Sequence, residues 1–160
     1  MKLPESTEWL LHATAGLAQL DAGATVSAAQ LAEHYGVPAA YLAKQLQALV
    51  RAGVLTASTG PRGGFRLARP ADQISLLQIV EAVDGSSPFY QCNEIRQRGR
   101  GAVPPEQCRK MCGIAAQMRK AEQAWRASLA AVTVGDIVSS LPRSIPKRNR
   151  ELLARPVRVS

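Results

Sequence analysis

Apolar residues recur at helical spacing from the start of the chain. Leu10, Ala13, Leu17 and Leu20 step by three or four residues, which predicts a helix from about Glu8 to Leu20 with Ser6 or Thr7 as its N-cap. Glu8, His12 and Gln19 fall on nearly the opposite face, away from a core. Ser27-Ala-Ala-Gln30 is a capping-box pattern opening a short helix that Gly36 closes. A second helix follows from about Pro38 to Ala52, burying Leu42, Leu46, Leu49 and Val50. Leu31, Ala32, Gly36, Val37 and Leu42 supply the apolar, small and glycine positions that let two helices cross around a tight turn, as in a helix-turn-helix.

Beyond Gly53 the pattern changes. Val54–Ser58, the glycine-rich Thr59–Gly64 and Phe65–Ala68 read as strand, turn and strand, a wing. Ser75-Leu-Leu-Gln78 is another capping box, opening a helix that runs to Asp84 and stops at Gly85. Residues 86 to 110 hold four of the chain's prolines and glycines between Pro88 and Pro104, plus Pro105, in a loop too long for a plain connection. From Gly113 a long helix carries Ile114, Met118, Ala121, Trp125 and Val132 on one stripe about 28 Å long, a length that suits a dimer seam. Thr133 caps a last short helix through Val138. The fold expected is mainly α with a small β-hairpin wing. Residues 1–85 form a winged helix-turn-helix, 86–112 a cysteine-bearing loop, 113–142 a dimerisation helix with the last short helix, and 143–160 a disordered basic tail.

At 160 residues, 46% hydrophobic and 20% charged, the chain is long enough for one core and too apolar to be disordered throughout. Its net charge of +8 points to a polyanionic partner, nucleic acid or anionic lipid. The excess is local: residues 41–70 carry Lys44, Arg51, Arg62, Arg66 and Arg69 without one acid. Tyr41, Lys44, Gln45 and Gln47 on the second helix of the motif are therefore candidates for phosphate and base edges, with Arg62, Gly63 and Arg66 on the wing. The basic tail could add phosphate binding without sequence preference. The apolar stretch Trp9–Leu20 is broken by His12 and Gln19 and is neither a signal peptide nor a membrane span, so a cytoplasmic protein with no membrane partner is expected. With no P-loop, no G-x-S-x-G and two histidines, neither an enzyme nor a small-molecule substrate is expected.

Cys92, Cys108 and Cys112 form an odd set better suited to reduced thiols or a metal than to disulfides. Glu8 and His12, at i and i+4, face one direction and could present oxygen and nitrogen to a single metal centre. Zinc would accept the thiolates with His12 completing a tetrahedral site; an iron–sulfur cluster comes first, because thiolates suit it. A cluster-free thiol sensor remains open, as does a small electron-transfer protein, although the C-x₂-C spacing of ferredoxins is absent.

Met1-Lys-Leu3, Tyr41-Leu42, Gly60–Pro70, Ile79–Gly85 and the later cysteines resemble the bacterial IscR/NsrR-type iron–sulfur winged-helix regulators over about residues 1–140. Glu8–His12, Cys92–Gly99 and Pro104–Cys108 look closer still to the redox-sensing RsrR type. The resemblance implies a homodimeric transcription factor on double-stranded DNA whose cluster state controls binding. Fifteen residues separate Cys92 from Cys108 and three separate Cys108 from Cys112, unlike the more even NsrR-type spacing. A two-iron, two-sulfur cluster is therefore favoured over a four-iron one. By the resemblance its ligands are Cys92 and Cys112 of one subunit with Glu8 and His12 of the other, Cys108 being a less favoured ligand.

Overall fold

The computed structural model describes residues 2–61 and 63–154. Its elements are α1 (Glu5–Leu17), α2 (Ala28–Tyr35), α3 (Ala39–Arg51), β1 (Leu55–Ser58), β2 (Gly64–Leu67), α4 (Leu76–Asp84), α5 (Gly113–Ala130), α6 (Val134–Ser139) and α7 (Ser144–Leu153). Residues 2–85 and 129–154 cluster as one compact unit, and residues 86–128 as another.

In the larger unit, helices α1 to α4 and the hairpin enclose one core. Leu10, Leu31, Leu42, Leu46, Leu49, Ile74 and Ile79 are fully buried. The α2–turn–α3 pair forms as the pattern requires. Ser27 accepts from the Gln30 N–H while the Gln30 side chain accepts from the Ser27 N–H, and Gly36 ends α2 at φ 66°, left-handed backbone that suits glycine. The same box recurs at Ser75/Gln78 and at Thr133/Asp136. Strands β1 and β2 pair antiparallel from Leu55↔Leu67 to Ser58↔Gly64. Phe65 joins the wing to the start of α2 through paired bonds with Val26, 2.8 and 3.0 Å.

Several boundaries differ from the sequence reading. Helix α1 begins three residues early, after Pro4, because Ser6 and Thr7 turn their hydroxyls inward instead of capping; both are about 2% exposed. Gln19, expected on the outer face, lies beyond the end of α1 and is buried, its amide donating to the Ala15 carbonyl at 2.8 Å. Val50 is half-buried.

Residues 144–153, expected to be part of a disordered tail, form helix α7 on the larger unit. Leu153 is 2% exposed, Gln30 Nε2 donates to the Leu153 carbonyl at 3.2 Å, and Asn149 Nδ2 donates to Gln19 Oε1 at 2.9 Å. The last six residues lie outside the described residues.

In the smaller unit, residues 86–112 form an irregular loop with two 3-10 turns, Ile95–Gln97 and Pro105–Cys108. Helix α5 follows with no buried residue in its 18. Trp125 meets Phe89 edge-on at 4.6 Å, so part of the expected seam packs within its own chain. Val132 lies past the end of α5. Among the described residues no helix is long and apolar enough to cross a membrane.

Candidate DNA interface and sensor residues

Two groups of side chains carry candidate chemistry, and local backbone explains how each is presented. The first is the exposed side of the helix-turn-helix and wing. Helix α3 buries Leu42, Leu46 and Leu49 and thereby turns Tyr41, Lys44 and Gln47 to solvent, with Gln45 half-exposed. On the wing Arg66 is exposed and donates from Nε to Thr56 Oγ1 at 3.2 Å, across the register pair that joins the strands. The turn before it closes through the Gly63 N–H onto the Gly60 carbonyl at 2.9 Å. Arg62 lies outside the described residues.

The second group begins on α1. Glu8 and His12 are both exposed and, with Glu5, Trp9, Tyr35 and the Gly36–Pro38 turn, line an open cleft of about 690 Å³. The i, i+4 pair is thus presented together, as its spacing predicts. Two residues that the sequence reading did not assign to the site shape this place. Tyr35, at the end of α2, donates its hydroxyl to the His12 carbonyl at 2.8 Å. Trp9 meets Tyr41, the exposed aromatic of α3, edge-on at 5.6 Å. These contacts span residues far apart in sequence, so no local pattern marks them.

Burial pushes the Tyr35 phenol up to about 12 from 10.0, because the anion would be poorly solvated there. The unfolded chain ionises this group first, so stability should fall as pH rises from 10 towards 12. Tyr35→Phe should flatten that alkaline loss in urea titrations across the window while costing about 1 kcal/mol at neutral pH for the missing hydrogen bond. His34 is half-buried edge-on to Tyr35 at 4.6 Å. Its pKa is lowered by burial and then by the Arg148 charge.

The thiols lie in the smaller unit, all free: Cys92 is exposed, Cys108 and Cys112 partly covered. Cys92 borders a hollow with Tyr90, Met111, Ala115 and Arg119. Cys112 stands at the N-terminal edge of α5, where its carbonyl accepts from the Ala116 N–H at 2.9 Å. The N–H groups of Ala115 and then Ile114, followed by the Arg96 charge, hold its thiol below the ordinary range. Arg96 is itself fixed by a two-pronged ion pair with Glu94 and by donation from Nη2 to the Lys110 carbonyl at 3.2 Å. Its role was not legible, because the partner two residues away is a left-handed Glu94 at φ 49°.

Among the described residues no three His, Cys, Asp or Glu side chains of one chain gather closely enough to hold a metal ion. The donors nonetheless suit an iron–sulfur cluster: a thiol held towards its anion at a helix N-terminus, an exposed second thiol, and a carboxylate–imidazole pair open to an approaching group.

A family model described as Rrf2, iron-dependent transcriptional regulator, matches residues 3–140. The chain is 34% identical to protein aau3 of Rhizobium meliloti over 114 residues, 71% of this chain and 70% of that one. It is 40% identical to slr0846 of Synechocystis sp., named as an HTH-type transcriptional regulator, over 57% of this chain and 63% of that protein. Among solved structures it is similar to the IscR of T. potens, with a TM-score of 0.67, 21% identity and coverage of 90% of each chain. It is similar also to CymR, the global cysteine regulator of B. subtilis, with a TM-score of 0.66, 19% identity and coverage of 89% and 99%. At these identities the two structures speak for the fold, a mainly helical chain with a two-stranded wing.

Proposed function

The chain belongs to the Rrf2 family of iron-dependent transcriptional regulators, and on that premise we propose that it is a cytoplasmic homodimer whose binding to duplex DNA follows the redox state of an iron–sulfur cluster. The observation that carries the cluster reading is the joint presentation of Glu8 and His12 in one open cleft of α1. In this reading Cys92 and Cys112 of one protomer and Glu8 and His12 of the partner subunit hold a two-iron, two-sulfur cluster. Bound there, it supplies one-electron redox chemistry. Cys112 contributes a thiol already held towards its anion, and Cys108 is a spare thiol. The exposed Ile114 and Met118 on α5, a helix with no buried residue, support a seam between two copies.

Tyr41, Lys44, Gln45 and Gln47 on α3 read the major groove, with Arg62, Gly63 and Arg66 of the wing on the neighbouring backbone or minor groove. Two recognition helices per dimer demand two half-sites. The Tyr35–His12 hydrogen bond and the Trp9–Tyr41 contact join α1 to both helices of the DNA-binding motif. They give a displacement of α1 a physical path to the reading surface.

Lys44→Ala should lower the slope of log binding constant against log salt by about 0.9 if Lys44 neutralises one phosphate. If it also reads a base, sequence discrimination should relax by about 1 to 3 kcal/mol. Anisotropy titrations at several salt concentrations measure both. The function as a whole is tested on protein purified without oxygen, by its visible spectrum, iron and sulfide counts, and duplex binding in oxidised and reduced states. Colourless protein whose DNA binding changes on thiol oxidation alone would instead favour a cluster-free thiol regulator. A monomer by light scattering that binds one half-site would remove the dimer.

A further inference from the structure

Helix α7 is a basic element outside the winged-helix unit as the sequence delimits it. Lys147, Arg148 and Arg150 are exposed along it, with Arg143 at its N-cap and Glu151 as its one acid. It is anchored to α2 at its C-terminal end and passes near the other end of α2 further back. Its C-terminal end meets the first turn of α2 through the Gln30–Leu153 hydrogen bond, while the Arg148 charge acts on His34 in the last turn of α2. Asn149 and Arg150 tie its middle to Gln19, and Leu153 is buried at its end. So α7 runs antiparallel to α2, fixed in place by contacts that leave Lys147 and Arg148 in solvent.

In a helix-turn-helix the first helix crosses the sugar–phosphate backbone while the second enters the groove. Here α2 is that first helix, and α7 lies beside it carrying cations. Resting on the DNA-binding reading above, we infer that α7 is an accessory DNA-contact helix. Lys147 and Arg148 neutralise phosphates flanking those met by α2 and α3, and add affinity without sequence preference. The bonds of Asn149, Arg150 and Leu153 fix the helix, so its basic face is presented beside α2 at a set place.

The test uses the full chain and a random-sequence duplex of about 30 base pairs, titrated by fluorescence anisotropy over a range of potassium chloride concentrations. Lys147→Gln/Arg148→Gln should lower the salt slope by about 1.8, two phosphate contacts' worth. The thermal midpoint should not move, since both side chains are exposed. Lys147→Arg/Arg148→Lys should keep the wild-type slope. The preference for a duplex selected by the wild-type protein from a random pool should be the same in all three.

If Lys44→Ala lowers the slope and the α7 double variant does not, the α7 inference falls and the DNA-binding reading stands. Wild-type protein that binds no duplex would overturn both. An unchanged DNA slope together with lost binding to phosphatidylglycerol vesicles would assign the face to a membrane surface and overturn the inference.

Discussion

Glu8→Ala/His12→Ala protein, purified without oxygen, should lose its bound iron and visible colour by more than about tenfold while keeping its helical circular dichroism. The fold should survive because both side chains are exposed at the rim of the α1 cleft and the core beneath them is built by Leu10, Ala13 and Leu17. The size follows because removing even an indirect partner of a metal ligand costs about 10 to 100-fold in affinity. Cys92→Ala and Cys112→Ala should behave alike, and Cys108→Ala should retain iron. Normal iron content in the Glu8/His12 variant, or its loss in Cys108→Ala alone, would overturn the ligand assignment.

A second large effect is expected at Gly64, where the wing meets α2. A Cβ built there would lie 2.6 Å from both the carbonyl carbon and oxygen of Val26 and 2.9 Å from the Ser27 nitrogen, all backbone atoms. The strand cannot yield without breaking the paired Val26–Phe65 bonds, and Phe65 is itself in the core. Gly64→Ala should therefore cost about 2 to 3 kcal/mol, at the upper end for single substitutions. That corresponds to a fall of roughly 4 to 12 °C in thermal midpoint for a chain of this size. Because the clash displaces the wing from the start of α2, DNA binding should weaken even where the protein remains folded. A midpoint within about 1 °C of wild type would show that the wing base can move freely, contrary to this packing.

Which parts of the molecule were legible follows from how local their causes are. The capping boxes at Ser27, Ser75 and Thr133 each lie within four residues, and all three helices start where the pattern places them. The wing was legible because its alternation is interrupted by a turn that only glycine-rich sequence accommodates. Helix α1 was placed late because Ser6 and Thr7 look like caps, yet tertiary packing buries them. Helix α7 was missed for a related reason. Its ten residues include Pro146 and four charges, its apolar face of Ile145, Leu152 and Leu153 is interrupted by Asn149, and its place is set by Leu153 and by hydrogen bonds to Gln19 and Gln30, more than 120 positions away. At the candidate sensor the i, i+4 pair was visible from spacing. The Tyr35 hydroxyl on the His12 carbonyl was not, since it joins residues on two helices.

The bare surface of α5 has a consequence beyond ligand chemistry. Eighteen residues of helix with none fully buried take little of their order from their own chain beyond the Phe89–Trp125 contact, and in the proposed dimer the seam would supply the rest. In a homodimer that order depends on mass action. If the proposed reading holds, the abundance of the regulator is a second input beside the electron: below the dissociation constant of the seam, dilution alone would empty its binding sites, whatever the oxidation state.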